Sequence, residues 1–350
     1  MSAMHKKSGL KTTLYIVVLA IMVYVLVYMP TPYIITQPGS ADAVKPMVEV
    51  KNGDEKEEGE FLMTTVSASY ANLSLLFLSV FNEHAEIEKK AERLQGKTKD
   101  EYSAEQVYFM SDSQSSAMEA AYEEAEIAYS IVPEHIFVFG LSKDPAPQGD
   151  IKAGDKILSV NGVPTPDNTV LSKELQNKKV GDTIEMQLNR SGETITREVT
   201  LVPIKDNDTG KTRPGLGVMI GTIQKVKPED PAHQIQFKNT KVGGPSAGLM
   251  FTLEIYNQLT PGDLTKGHII AGTGTISKEG NVGPIGGVVH KIVAADRKEA
   301  EIFFVPRANY ADAKKKADAI STDMEIVPVD TAGDALEYLN NLDNKKVALH

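Results

Sequence analysis

Residues 241 to 248 read Lys-Val-Gly-Gly-Pro-Ser-Ala-Gly, and a long apolar segment, GLMFTLEIYNQL, begins at Gly248. A serine set between turn-formers at the mouth of a helix supports two chemistries. As an N-cap, Ser246 would accept hydrogen bonds from the first free amides of the helix. As a nucleophile, it would be presented on a tight turn beside those same amides, which can hold a developing oxyanion. The small residues around it, Gly243, Gly244, Pro245, Ala247 and Gly248, would let a substrate backbone come close.

A nucleophilic serine needs a base. GPSAG fits the Gly-x-Ser-x-Gly turn, but that motif follows a buried strand and precedes an acid and then a histidine. Here QFKNTKVG makes a poor buried strand, and only His268, His290 and His350 follow the serine. His268 opens a strand and His290 lies on a helix, with no evident acid to orient either one, so a Ser-His-acid triad stays open but forced. A lysine serves better. On a helical wheel of about 100° per residue, VVHKIVAADR groups Val288, Ile292 and Ala295, with Lys291 bordering them. His290 falls opposite, beside Arg297, at an expected solvated position. Desolvation penalises a charged ammonium, so Lys291 against the apolar face could lose its proton near neutral pH and take one from Ser246. Taken alone, Lys291 would read as a lysine snorkelling at a helix edge.

The elements that must hold these residues alternate between helix and strand. GLMFTLEIYNQL is a helix, HIIAGTGTI a strand and NVGPIGG a glycine-rich turn. VVHKIVAADRKEA is a second helix, EIFFVP and MEIVPV are strands, and TAGDALEYLNNL is a final helix opened by Asp330 or Thr331. This order calls for a mixed sheet with helices packed on it. Before it, residues 130–203 change to short strands: HIFVFGL, DKILSVNGV, TIEMQLNR and TITREVTL. Ile184, Met186 and Leu188 alternate with polar residues, Asn161-Gly162 suits a tight hairpin, and TVLSKELQN supplies one helix. PGLGV, at 214–218, reads as a strand leading into the next domain.

Residues 34–129 form a linker with short strands, MVEV and FLMTTVSA, and two helical stretches broken near GKTKDEYS. The helical pair is expected to pack against its neighbours and carries no chemistry. AERLQGKT ends like a phosphate-binding loop, but Ala91 stands where the first glycine is required, so no ATPase is expected.

Three motifs, GGPSAG, AGTGTI and GNVGPIGGVVHKIVAAD, in this order and spacing resemble the proteolytic domain of Lon proteases, over residues 215–342. IKAGDKILSVNGV resembles PDZ domains, over residues 130–203. Together with the apolar N-terminal segment, the chain resembles the YlbL-type PDZ–Lon serine proteases of bacteria. The resemblance implies a Ser-Lys dyad of Ser246 and Lys291, with Thr273 beside the lysine. The amides around Gly244, Pro245, Ala247 and Gly248 are the candidates for substrate positioning and the oxyanion. Where many Lon sequences have an acid before Gly-Pro-Ser, this chain has Gly243, and the Lon ATPase module is absent. The PDZ resemblance implies recruitment of protein or peptide substrates by strand addition. Lon domains commonly form rings, which makes a homo-oligomer an open expectation. A membrane-tethered PDZ scaffold with an inert Lon-like fold is the alternative function.

Composition narrows the classes further. The net charge is −10, which disfavours a nucleic-acid partner, and there are no cysteines for disulfides or thiolate metal sites. The seven histidines form no zinc-like spacing, so no metal and no cofactor are expected. TLYIVVLAIMVYVLVYM, at 13–29, carries no charge, and PTPYII adds further apolar surface, with Tyr24, Tyr28 and Tyr33 suited to the interface. Lys6, Lys7 and Lys11 precede this segment, while Asp42 and Lys45 are the first charges after it. That asymmetry predicts residues 1–12 in the cytoplasm, a signal anchor over 13–33 and the catalytic domain outside the cell membrane. A cleaved signal peptide is the rival, but its small-x-small site, Ala41-Asp42-Ala43, lies far beyond Met29. The expected fold is therefore multidomain: a transmembrane helix, a PDZ-like β-rich domain and a Lon-type α/β domain.

Overall fold

A computed structural model of the chain describes residues 2–205, 210–238 and 242–345, with side chains from residue 11 onward. Residues 239–241, just before the serine turn, and His350 lie outside the described residues. The chain divides into two compact units, one of residues 1–40 and 65–96 and the other of residues 41–64 and 97–350.

The N-terminal elements are α1 (Ser2–Tyr28), β1 (Pro30–Ala43), β2 (Val48–Val50), β3 (Glu60–Asn72), α2 (Leu73–Ser79), β4 (Glu86–Lys89) and α3 (Lys90–Leu94). In the first unit, β1 lies between β3 and β4, with Tyr33 opposite Lys89 and Thr36 opposite Glu86. The expected first helical stretch is thus interrupted by a strand. EIEK is charged and shows no strand alternation, so only pairing with the distant β1 holds it extended. Within α1, Lys11–Tyr28 is the one helix among the described residues long and apolar enough to cross a membrane.

In the second unit, α4 (Lys99–Glu124) opens with a capping box in which Thr98 and Glu101 satisfy each other's amides. Most of a six-stranded sheet follows, in the elements β5 (Tyr129–Leu141), β6 (Lys156–Val160), β7 (Val163–Pro164), which pairs only with β6, α5 (Asn168–Leu175), β8 (Thr183–Arg190) and β9 (Glu193–Thr200). Asn161 and Gly162 take positive φ and close the two-residue hairpin from β6 to β7, as their types require. Ile184, Met186 and Leu188 of β8 all point into this small core, with Ile157, Val160 and Leu171.

After β10 (Val202–Lys205) and β11 (Thr212–Gly215), which pair with each other, β12 (Val218–Pro228) returns to the sheet along the length of β5. The sheet order is β12-β5-β6-β8-β9. PGLGV therefore does not lead away into the next fold, because the strand that follows it completes the edge of this one. Chain order conceals this, since β12 and its partner are separated by the whole of the intervening sheet.

The remaining elements are β13 (Ile235–Phe237), α6 (Gly248–Leu259), β14 (Ile269–Gly272), β15 (Thr275–Ile276), β16 (Val282–Gly283), α7 (Val288–Asp296), β17 (Ile302–Pro306), α8 (Tyr310–Ile320), β18 (Glu325–Val329) and α9 (Ala332–Asn341). Strands β18, β17, β14 and β3 lie side by side, each pair parallel. Alternate residues serve opposite faces, as the strand period demands. Phe61, Met63, Ile270, Ile302 and Phe304 join α4, α6 and α9 in one core. Leu62, Ala271, Phe303 and Val305 join α7 and α8 in the other. A sheet covered on both faces explains why these strands read as continuous apolar runs.

Candidate active site

The segment read as a helix from Gly248 forms α6 with those bounds, and its first turn sets the serine. Ala247, not Ser246, is the N-cap, and no side chain caps this end. The capping role is thus excluded for Ser246, whose hydroxyl faces another element. Gly244 has φ +90, a left-handed conformation that makes glycine the natural residue at the bend. Its N–H donates to Gln106 O at 3.0 Å, and Ser113 Oγ donates to Pro245 O at 2.9 Å. Both partners belong to α4, which backs the loop along its length. A Cβ at Gly248 would meet Ser113 Oγ at 2.7 Å and Ile276 Cγ2 at 2.6 Å, so the close packing of α4 and β15 requires glycine there.

Strand β14 supplies the second wall. HIIAGTGTI is not one strand but two, β14 and β15, broken at Thr273 and Gly274. The break turns both residues toward the serine. Gly274 N–H donates to Ser246 O at 2.9 Å, Leu249 N–H donates to Gly274 O at 3.1 Å, and Thr273 N–H donates to Phe304 O at 3.0 Å. From β3, Thr64 Oγ1 donates to Gly272 O at 3.0 Å.

The third wall is α7, begun by Gly287 in the left-handed conformation. Asn309 pins the preceding turn through bonds with both Ile285 N and O. Lys291 emerges from the first turns of α7 with Nζ 2.7 Å from Ser246 Oγ and 2.8 Å from Thr273 Oγ1. It is 3% exposed, whereas Ser246 is half-buried and open to an incoming chain. Burial alone brings the lysine down to about pKa 7 from its ordinary value near 10.5. No carboxylate contributes to that shift, in keeping with Gly243 occupying the place of an acid.

The hydrogen bonds fix how the protons are arranged. Thr273 Oγ1 donates its proton to Ser246 O at 3.0 Å, so toward Lys291 it can only accept. Lys291 Nζ donates to Thr273 Oγ1 and to Ser246 Oγ. The three residues form a closed ring of bonds in which one amine reaches both hydroxyls.

One sequence expectation is corrected here. His290 is 3% exposed and not solvated. The wheel assumed a helix with one buried side, but α7 is enclosed nearly all round, from Val288 and His290 to Ala295. His268 lies far along the sheet in another cluster, with Nδ1 2.9 Å from Glu301 and Nε2 3.0 Å from Asp343 O. The arrangement places no histidine against Ser246 among the described residues, and the forced triad loses its base.

The amides near the serine divide into two groups. Those of Gly244 and Gly248 are committed, to Gln106 O and to Pro245 O, and Pro245 has none. Among the described residues, those of Ser246 and Ala247 donate to no protein acceptor. They sit at the positive end of the α6 dipole. Gln106, Ser113 and Thr64 escaped sequence reading. The signal for Ser113 was the run SDSQSS inside a long helix, since small polar residues at buried helical positions mark a close approach to another backbone.

Residues 238–341 match the Lon protease (S16) C-terminal proteolytic domain, and residues 138–201 match the PDZ domain. The Lon protease of Campylobacter jejuni is 37% identical over 100 residues, covering 28% of this chain and 12% of that protein. The Lon protease of Metamycoplasma arthritidis is 30% identical over 142 residues, covering 41% and 15%. The chain thus spans a small part of the length of these relatives. A solved PDZ domain of the SdrC-like protein of Listeria innocua is 22% identical, covering 25% of this chain and 93% of that one, with a TM-score of 0.22. The protein therefore carries a PDZ domain followed by a Lon protease (S16) C-terminal proteolytic domain, the domain of a serine peptidase, and its relatives are Lon proteases over the protease part alone.

Proposed function

We propose that the chain is a membrane-anchored serine endopeptidase that works through a Ser246–Lys291 dyad without ATP. The carrying observation is a buried lysine whose Nζ lies 2.7 Å from a half-buried serine hydroxyl and 2.8 Å from Thr273 Oγ1. Ser246 Oγ attacks the scissile carbonyl as its proton passes to Lys291 Nζ. The oxyanion forms beside the uncommitted amides of Ser246 and Ala247. Lys291 then gives the proton to the leaving amine, and the C–N bond breaks to leave an acyl-serine. A water molecule, deprotonated by the again neutral lysine, attacks the ester, and the proton returns to Ser246 as the acid product leaves.

Substrate delivery falls to the PDZ sheet. Strand β12 forms one end of the sheet order, and α5 begins beside it, with Asn168 N–H 3.4 Å from Thr222 Oγ1. An extended peptide added to the outer edge of β12 would lie along α5, with the PGLGV turn at one end. The apolar segment of α1 supports a single anchor, and the lysines before it support an extracytoplasmic catalytic domain. Without a phosphate loop, the substrates are flexible tails or loops close to the bilayer.

The test is labelling of the full chain by a fluorophosphonate probe, followed by cleavage of an unfolded protein in nucleotide-free buffer. Labelling and cleavage are both expected, and Ser246→Ala should abolish both. Cleavage that appears only with ATP would overturn the proposed independence, and labelling that survives Ser246→Ala would overturn the nucleophile.

A further inference from the structure

Among the described residues outside α1, the four most exposed large apolar side chains are Val80 at 76%, Phe81 at 74%, Phe77 at 66% and Leu78 at 60%. All four belong to one segment, LSLLFLSVF at 73–81, which holds no charge and, apart from Ser74 and Ser79, no polar side chain. The sequence suggests a helix packed on its neighbours, but α2 buries none of its residues. Phe77 and Phe81 stack edge to face on this open side, and Ile87 of β4 adds another exposed apolar group. A soluble surface rarely leaves such a patch in water without a partner.

The position of α2 identifies the partner. Asn72 Nδ2 donates to Val27 O at 2.7 Å, and Ser74 Oγ donates to Leu26 O at 3.0 Å. These bonds satisfy carbonyls that the last turn of α1 would otherwise leave open. Asn72 Oδ1 also accepts from Leu75 N at 2.8 Å and so starts α2. One residue therefore closes the apolar helix and opens the next, which holds α2 at the depth where α1 ends. The 18 residues Lys11–Tyr28 span about 27 Å, close to the hydrocarbon thickness of a bilayer. Tyr24 and Tyr28 stack at this same end, where aromatic rings favour the interface.

We infer that α2 and the residues after it form a second membrane contact, with Phe77, Leu78, Val80 and Phe81 embedded in the outer leaflet beside α1. The inference rests on the reading of α1 as a retained anchor. The occupant is the lipid bilayer: the patch continues from the span and lies at its outer boundary, and the segment 73–81 itself holds no charge. It would hold the first unit at the membrane by two elements instead of one.

The chain contains no tryptophan, which makes the test direct. Full-length variants Phe77→Trp, Phe81→Trp, Leu19→Trp and Val163→Trp are reconstituted separately into phosphatidylcholine vesicles with or without brominated acyl chains. All four positions are exposed, so the folds should survive. The expected result is loss of most emission in brominated lipid at positions 19, 77 and 81, and none at 163. Quenching at 19 with none at 77 and 81 would overturn the second contact and leave the anchor standing. If the unquenched emission at 77 and 81 is blue-shifted and reddens on dilution into excess lipid, a second copy covers the patch, which also overturns it. Absence of quenching at position 19 would overturn the anchor and this inference together.

Discussion

Lys291→Met separates the two consequences of a buried lysine, because it keeps the length of the side chain while removing the charge. In the parent, the lysine has a pKa of about 7 when folded and near 10.5 when exposed. Below about pH 7 both states are protonated, and folding carries the full desolvation cost, about 5 kcal/mol at 1.36 kcal/mol per unit. Between about 7 and 10.5 the unfolded chain binds more protons than the folded one, so stability rises with pH. At about pH 8 the remaining cost is about 3 kcal/mol, and above about 10.5 it is gone.

The methionine variant has no such cost but loses hydrogen bonds worth about 1 kcal/mol each. It should therefore be more stable than the parent by about 2–4 kcal/mol at about pH 6, with the advantage shrinking as pH rises and reversing to a deficit of about 2 kcal/mol in strong base. Urea unfolding of parent and variant across this range measures the difference, and other groups cancel. The same ionisation governs catalysis. In the parent, kcat at saturating peptide should fall about tenfold per pH unit below about 7 and level off above it. Lys291→Arg, which stays charged and cannot accept the proton, should be nearly inactive throughout. A stability difference that is flat with pH, or a kcat still rising near pH 10, would refute a neutral buried base.

Thr273→Val removes the hydroxyl that accepts from the lysine amine, and should lower kcat by about 10–100-fold with little change in KM, while Thr273→Ser restores most of it. Ser113→Ala frees Pro245 O from α4, and should cost about 1 kcal/mol in stability. As a positioning effect it should lower kcat several-fold on a small reporter peptide, leaving KM and the apparent pKa of the profile unchanged. Glu254→Gln probes a second buried group: Glu254 and Glu57 face each other with unpaired oxygens, and burial followed by Glu57 raises Glu254 to about 8. Stability from this carboxyl is complete below its ordinary pKa and lost as pH rises toward about 8, so the amide variant should match the parent in acid and exceed it at about pH 9 in urea unfolding.

Local chemistry carried much of the fold into the sequence. The apolar run after Gly248 marks α6, the alternation of Ile184, Met186 and Leu188 marks β8, and Asn161-Gly162 marks the hairpin from β6 to β7. Helix α8 was missed because its buried positions are the alanines Ala313 and Ala317, which give little hydrophobic period. His290 was misplaced for the opposite reason, since a helix enclosed on every side has no polar face for a wheel to find. Ser246 and Lys291 were legible because each stands in a glycine-rich setting that only a close approach requires. The exposure of α2 was hidden, because an apolar run looks the same whether protein or lipid will cover it.

Among the elements that the two domain matches leave out is α4, which lies before both, at 99–124. Its first half meets the PDZ sheet: Tyr108 stacks on Phe139 with ring centroids 4.9 Å apart, and a Cβ at Gly221 of β12 would strike the Tyr108 ring at 2.2 Å. Glu101 accepts from Leu141 N at 3.1 Å at the end of β5. The same helix holds the serine turn through Gln106 O and Ser113 Oγ. Backbone contacts without room for a Cβ transmit small shifts poorly absorbed elsewhere, because close-packed interiors have few voids. The turn that aims Ser246 is therefore not shaped by the proteolytic domain alone. It is braced by a helix whose other contacts are with the strand pair β5 and β12, so the geometry of the nucleophile and the geometry of the sheet edge share one rigid support.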